Sequence, residues 1–262
     1  MKMKQKSNNK IWALFITLAM LLTMMPTMVF AGAPSPTTMY IDKGNIVLTS
    51  TNVIGYDSAG ALVNTAPNSD GYIITQTDVN ISTTNTIKVQ SGTNHKITLN
   101  GVNIDVSATK TGCAFDIQGS SVVDLTLADG TTNTLKSGGG GIDSSYYGEA
   151  GLSVQRNASL IINGNDGKLI AVGKDTDPEC DGGSGIGGKR KEANGTITIN
   201  GGEITANGGY LAVGIGGNED ANAGGKITIN GGTVTATGGQ AGAGIGGGTG
   251  CRIEINGGIV NA

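Results

Sequence analysis

The most regular feature of the chain is a short alternation of apolar and polar residues in its second half. Residues 196–200 read TITIN and residues 226–230 read KITIN, with isoleucine at every second position. After two glycines, each is followed by a second alternating run, EITAN or TVTAT. Alternation over four or five residues predicts a β-strand with one buried face, and no helical periodicity follows residue 31. The chain is therefore predicted to be all-β.

These strands belong to an internal repeat of variable length. The apolar residue that opens each copy recurs every 26–37 residues, at Ile97, Leu125, Leu160, Ile197, Ile227 and Ile253. Propeller blades need four strands and ~40–45 residues each, which is more than these copies provide. Copies of two or three strands instead predict a right-handed, single-stranded parallel β-helix with glycine-rich corners, in which the six residues form an inward ladder.

The same alignment predicts two further inward ladders. One holds Leu99, Leu127, Ile162, Ile199, Ile229 and Ile255, and the other holds Ile104, Leu169, Ile204, Val234 and Val260. An Asn-Gly pair follows the first strand at 100–101, 163–164, 200–201, 230–231 and 256–257. Stacked asparagine side chains are expected to hydrogen-bond along the axis. Ala128-Asp129-Gly130 replaces the pair in one copy and predicts a looser corner.

A glycine-rich stretch at 183–190, GSGIGGKR, nearly matches two nucleotide-binding motifs. A phosphate-binding loop opens a helix whose first amides hold the phosphate, but here the chain runs straight into the strand at 196–200. The same phrase recurs in register as VGIGG at 213–217 and AGIGG at 243–247. We therefore interpret the stretch as a corner of the solenoid and expect no nucleotide ligand.

The first 31 residues have the pattern of a secretory signal peptide. Four lysines precede an uncharged run at 11–25, and Val29-Phe30-Ala31 offers a cleavage site. The run is shorter than the ~20 residues that cross a bilayer. We expect residues 1–31 to be removed on secretion. The mature protein is then expected to be extracellular or associated with the cell wall, and not to insert into the membrane.

The remaining residues fall into two predicted segments. Residues 32–95 do not repeat clearly and are predicted to form an N-terminal cap with the first irregular strands, because the end of a solenoid must be covered. Residues 96–262 are assigned to the β-helix repeats. The last copy, INGGIVNA, stops within a turn, so we expect that the repeats continue in a longer protein or are truncated here.

Charge and cysteine content narrow the range of partners. Removal of residues 1–31 takes away four lysines and no acid, which changes the formal net charge from −3 to −7. An acidic surface disfavours nucleic acid and anionic membranes. Cys113, Cys180 and Cys251 are too few and too far apart for a disulfide framework, and we expect free thiols.

Several segments carry a family resemblance. KITLNGVNIDV (96–106), CAFDIQGSS (113–121) and LTLADGTTNTLKSG (125–138) precede the tandem ITINGG…TA…GG…GIGG motif. Together they resemble the repeat-rich exported surface proteins of Gram-positive-type bacteria that are of the carbohydrate-binding-domain type. The resemblance covers roughly residues 40–262. It implies an extracellular, non-catalytic role in binding a polysaccharide or cell-surface glycan, or in adhesion, and it carries no fixed site motif.

Acidic residues alternate along an inserted stretch, at Asp175, Asp177, Glu179 and Asp181. The hexapeptide DPECDG at 177–182 resembles the start of an oxygen-rich Ca²⁺ loop, with its glycine at position six. Gly188 stands at position twelve, where the bidentate Glu is expected. A Ca²⁺ site and a solvated acidic loop therefore both remain open.

Three loop tyrosines are the candidate sugar-binding faces: Tyr146, Tyr147 and Tyr210. Tyr147 and Tyr210 occupy the same corner two turns apart, and the acidic stretch fills that corner on the turn between them. At ~4.8 Å per turn, the two rings lie ~10 Å apart along the axis. That spacing suits two units of one glycan chain, and the alternative is a pair of exposed turn tyrosines without a ligand.

Catalysis is the main rival to simple binding, because parallel β-helices include polysaccharide lyases and hydrolases. Glycoside hydrolysis needs two convergent carboxylates, ~5 or ~6.5–9.5 Å apart. Asp105, Asp116 and Asp124 are outward candidates, whereas His95, the one histidine, has no evident partner. We assign no catalytic residue and predict a non-catalytic glycan-binding module. A lyase or hydrolase is the first alternative, and a structural spacer or adhesin stalk without a small ligand is the second.

Overall fold

In a computed structural model, which describes residues 35–109, 112–139, 148–174, 182–189, 192–217 and 225–262, the chain coils through three sheets. Each full turn contributes one short strand to the first sheet, one to the second and one to the third, in that order. The described residues contain 23 strands, numbered β1–β23 in chain order, and one 3₁₀ turn at Ile41–Lys43. The predicted parallel β-helix is confirmed.

The first sheet has eight strands, all of them parallel. Its strands are β1 (Thr37–Tyr40), β5 (Tyr72–Thr75), β7 (Asn94–Asn100), β10 (Val122–Leu127), β13 (Ser159–Asn163), β16 (Thr196–Ile199), β19 (Lys226–Ile229) and β22 (Arg252–Ile255). Alternate residues point into the core in every strand from β7 to β16, as their period of two requires.

The second sheet has six parallel strands and the third sheet has nine. The second is built from β8 (Asn103–Asp105), β11 (Thr132–Lys136), β14 (Lys168–Val172), β17 (Glu203–Asn207), β20 (Thr233–Thr237) and β23 (Ile259–Asn261). The third contains β2 (Ile46–Leu48), β3 (Val53–Tyr56), β4 (Leu62–Thr65), β6 (Ile87–Val89), β9 (Phe115–Ile117), β12 (Leu152–Val154), β15 (Ile186–Gly187), β18 (Ile215–Gly216) and β21 (Ile245–Gly246).

The segment assigned to an N-terminal cap contributes to the coil itself. Strands β1 and β5 extend the first sheet, and β2 and β6 extend the third. Only β3 and β4 run antiparallel to their neighbours, as a hairpin at the edge of the third sheet. Pro36–Ala262 forms one compact unit. Residues 1–31, predicted to be a signal peptide, lie outside the described residues, and no helix in the described part is long and apolar enough to cross a membrane.

Each predicted ladder is out of register by two residues at one step and correct at the others, including the earlier pairs of Ile97 with Leu125 and Leu99 with Leu127. Leu125 pairs with Ile162, not with Leu160, whose partner is Val123. Ile104 pairs with Leu135, which pairs with Ala171, so its predicted alignment with Leu169 is also wrong. The Asn-Gly pairs misled the alignment, because a shift of two residues leaves every side chain on its own face and the apolar pattern unchanged.

Candidate functional site

A row of asparagines runs along the corner between the first and second sheets. The side-chain amides of Asn256, Asn230 and Asn200 each donate to Oδ1 of the asparagine one turn earlier, at 2.9 Å. The row ends where Asn163 donates to Oδ1 of Asp124 at 2.7 Å. We call these four residues the asparagine ladder. The predicted ladder is confirmed for them but not for Asn100, because Asn163 is in register with Thr126 and Thr98.

Two turns next to the ladder have longer corners, and these corners are tied together. Ile162 pairs with Ile199 and Lys168 pairs with Glu203, so the five residues 163–167 stand where the next turn has only the three residues 200–202. Asn165 donates from Nδ2 to Oδ2 of Asp129 at 3.0 Å, and the backbone N–H of Gly130 donates to Oδ1 of Asp166 at 2.8 Å. The hydrogen bond from Asn165 lowers the pKa of Asp129. The corner predicted to be loose, 128–130, is therefore held by its neighbour.

An open groove of about 490 Å³ lies between these long corners and the asparagine ladder. Its side chains are mostly hydrogen-bonding groups, and they include Thr126, Asp129, Asn163, Asn165 and Asn200 beside the apolar Leu127. The amides of Asn163 and Asn200, which line the groove, each use one N–H and one carbonyl lone pair within the ladder, so a second N–H and a second lone pair remain. The groove thus offers both donors and acceptors to a hydroxylated ligand, at intervals of one turn.

Tyr210 lies at the corner between the second and third sheets and is partly exposed. The backbone N–H of Gly182 donates to its carbonyl oxygen at 2.6 Å, and Gly209 donates to the Gly183 carbonyl at 2.9 Å. Gly182 directly follows the acidic stretch in sequence. The other proposed ligands lie outside the described residues, and their grouping remains a prediction: Tyr146, Tyr147, Asp175, Asp177, Glu179 and Asp181.

The three outward aspartates considered for catalysis do not converge. Asp124 lies on the first sheet, Asp105 on the second and Asp116 on the third. Asp105 is paired with Lys136 at 3.4 Å, and Asp124 accepts from the asparagine ladder. No two of the three lie on the same sheet, so the fold does not bring them together as a pair of catalytic carboxylates.

Sequence reasoning missed a polar cluster on the outer face of the third sheet. Asp116 is 7% exposed and accepts hydrogen bonds from the amides of Gln155 at 2.9 Å and Gln118 at 3.2 Å. Its partner in the next strand is Ser153, which is fully buried and whose Oγ has no hydrogen-bond partner. A repeated D-x-Q and S-x-Q spacing at 116–118 and 153–155 was the available signal, but strands of three residues show too little alternation to be recognised.

An ion pair lies close to this polar cluster. Glu149 and Lys189 approach to 3.4 Å between Oε2 and Nζ, and burial raises the pKa of Glu149. Across the described ranges, no group of three or more His, Cys, Asp or Glu side chains is placed to hold a metal ion. The cluster is closed to solvent at Asp116 and Ser153, whereas the groove beside the asparagine ladder is open. The groove is therefore the better candidate for a ligand site.

Comparison with known proteins agrees with the fold. Residues 197–219 and 227–249 match a family model described as a beta helix repeat. These two stretches are successive turns of the coil, and they include the strands on either side of Asn200 and Asn230. They also include the GIGG segments, which were predicted to be corners but contain strands β18 and β21. No curated protein and no solved structure matches the chain.

Proposed function

We propose that the protein is an extracellular β-helical module that binds glycans without altering them. The observation that carries the proposal is the open groove beside the asparagine ladder, lined by amides, a hydroxyl and one carboxylate. Its volume lies within the ~300–1,000 Å³ typical of small-ligand sites. Closely spaced neutral donors and acceptors suit the hydroxyl groups of sugars. A groove without basic lining residues suits nucleic acid poorly.

Binding without catalysis is favoured by the arrangement of the carboxylates. Asp129 is the one acid that lines the groove, whereas hydrolysis of a glycosidic bond requires a pair. A groove with one carboxylate and several amides can orient a sugar but offers no second acid to complete the usual mechanism. A lyase or hydrolase remains the rival function, and it would require a second carboxylate from elsewhere in the chain.

A printed glycan array, followed by calorimetric titration of any bound oligosaccharide, tests the proposal. Asn200→Ala removes a groove residue and two ladder hydrogen bonds, and it should weaken binding about tenfold, the effect of losing one hydrogen bond of ~1.4 kcal/mol. Asn230→Ala is the matched control, because it also removes two ladder bonds but lies outside the groove. Unchanged affinity in Asn200→Ala, or equal losses in both variants, would overturn the groove as the site.

Two further measurements separate the alternatives. If glycans bind instead at the corner between the second and third sheets that holds Tyr210, Tyr210→Ala should abolish binding and Asn200→Ala should leave it intact. A reducing-sugar assay on each bound polysaccharide tests catalysis directly, and release of product would contradict the non-catalytic function. A protein that binds no glycan on the array would fit the stalk or spacer alternative instead.

A further inference from the structure

We infer that the groove selects against acidic glycans and binds neutral and amino sugars, with a free sugar amine strengthening the interaction. The inference rests on the proposed function and concerns the charge of the same groove. It starts from Asp129, the only charged residue among the lining side chains. None of the described lining residues is basic, so a ligand in the groove meets a negative charge and no positive one.

The position of Asp129 is fixed by the long corner of the next turn. Both of its carboxylate oxygens accept from Asn165, from Nδ2 at 3.0 Å and from the backbone N–H at 3.4 Å. These bonds hold the carboxylate on the groove wall, opposite the asparagine ladder. Each oxygen retains a lone pair for a donor on the ligand. The wall therefore presents an oriented anionic acceptor and not a mobile surface acid.

Neighbouring charges reinforce the negative potential. Asp166 is tied to the same pair of long corners through Gly130, and Asp124 terminates the ladder. Two lysines lie nearby on adjoining strands. Lys168 is engaged by Glu203 at 2.7 Å, and Lys96 is the strand partner of Asp124. Among the described residues, neither lysine forms an ion pair with Asp129 or Asp166.

This distribution has opposite effects on different sugars. The negative charge of Asp129 would repel the carboxylate of a uronic acid or a sulfate ester in the groove. Hydroxyl groups can donate to Asp129 without this penalty. An ammonium group on an amino sugar would donate a charge-assisted hydrogen bond, which is shorter and stronger than a neutral one. The expected order of affinity is amino sugar first, neutral sugar second and acidic sugar last.

The test uses an array that presents each backbone linkage in three forms: neutral, carboxylated at C6 and free amine at C2. For β-1,4-linked glucose these are cellohexaose, oligoglucuronate and oligoglucosamine. We expect the carboxylated form to bind at least tenfold more weakly than the neutral form at low salt. Asp129→Asn retains an acceptor for Asn165, and it should reduce the amine-to-carboxylate affinity ratio at least threefold. Added salt should reduce the ratio in the unmodified protein in the same way.

The control is Asp57→Asn, which removes the same charge in the turn between β3 and β4, where Asp57 accepts from the backbone of Ala59 and Ala61. It should leave the ratio unchanged. Preferred binding of the carboxylated forms, equal binding of all three forms, or a ratio unaffected by Asp129→Asn would overturn the inference while leaving glycan binding established. Absence of binding to every form would instead overturn the proposed function.

Discussion

Asn163 donates a hydrogen bond of 2.7 Å from its side-chain amide to Oδ1 of Asp124, so the asparagine ladder ends on a carboxylate. Every amide in the ladder donates towards this end of the coil. The N–H groups of the four amides are therefore oriented towards the negative charge, an arrangement in which successive hydrogen bonds polarise one another. The carboxylate anchors the row from which one side of the groove is built.

The first prediction concerns this anchor. Asp124→Ala removes the acceptor of Asn163 and should lower the free energy of unfolding by about 1.5–3 kcal/mol, the range for hydrogen bonds to charged groups. Asp124→Asn keeps an acceptor without the charge and should cost less than half as much. Urea unfolding followed by circular dichroism gives both values. Equal stability of the Asp124→Ala variant and the unmodified protein would show that the ladder does not depend on its charged end.

The second prediction concerns the stacked GIGG segments, whose Ile-Gly pairs form strands β15, β18 and β21. Gly187, Gly216 and Gly246 are strand partners with φ of 138°, 138° and 134°, so the same unusual backbone conformation recurs on three turns. A Cβ on Gly216 would collide with the carbonyl oxygen of Gly246, which belongs to the next turn. Gly216→Ala should therefore cost more than the ~1–3 kcal/mol of backbone strain alone.

Gly60→Ala is the matched control for Gly216→Ala. Gly60 also has a positive φ, of 83°, but nothing lies within 4 Å of the position that its Cβ would take. Its loss of stability should be confined to backbone strain. The difference between the two variants in the midpoint of urea unfolding isolates the contact between turns. If both lose the same stability, the collision between turns does not contribute.

The GIGG segments show both a success and an error of the sequence analysis. Their recurrence in register indicated a structural role, and the shared φ values give the physical reason: only glycine tolerates that backbone against the next turn. The assignment as corners was wrong for the Ile-Gly pairs, which form strands of the third sheet. The apolar ladders from Leu160 to Ile253 were predictable because TITIN and KITIN alternate without interruption. In both cases the information lay in repetition between turns, which a single chain displays directly.

The failures have an equally specific origin. The third sheet was not predicted because its strands are too short for a period of two to appear. Strands β15, β18 and β21 contain two residues each, and β9 and β12, which carry the cluster around Asp116, contain three. The groove was missed because it results from a difference in corner length between turns. Residues 163–167 exceed the equivalent 200–202, but only the strand pairing reveals which residues are equivalent.

The last prediction concerns pH and the only histidine of the chain. His95 points into the core, is 6% exposed and contacts Tyr72 edge to face, with 5.8 Å between ring centroids. Burial lowers the pKa of His95, although a hydrogen bond with the Thr49 backbone opposes the shift. The unfolded chain takes up a proton near pH 6.5 and the folded chain only at lower pH. The free energy of unfolding should therefore fall as pH falls below about 6.5, by up to ~1.4 kcal/mol per pH unit.

His95→Phe tests the origin of this dependence, because phenylalanine can pack against Tyr72 but does not titrate. The unmodified protein should lose stability between pH 7.5 and pH 5.5 in urea unfolding, and the variant should lose less. Glu149 acts in the opposite direction, since burial raises its pKa and protonation favours its folded form. Its contribution is common to both proteins and cancels in their difference. Parallel pH profiles for the two proteins would show that His95 is not responsible.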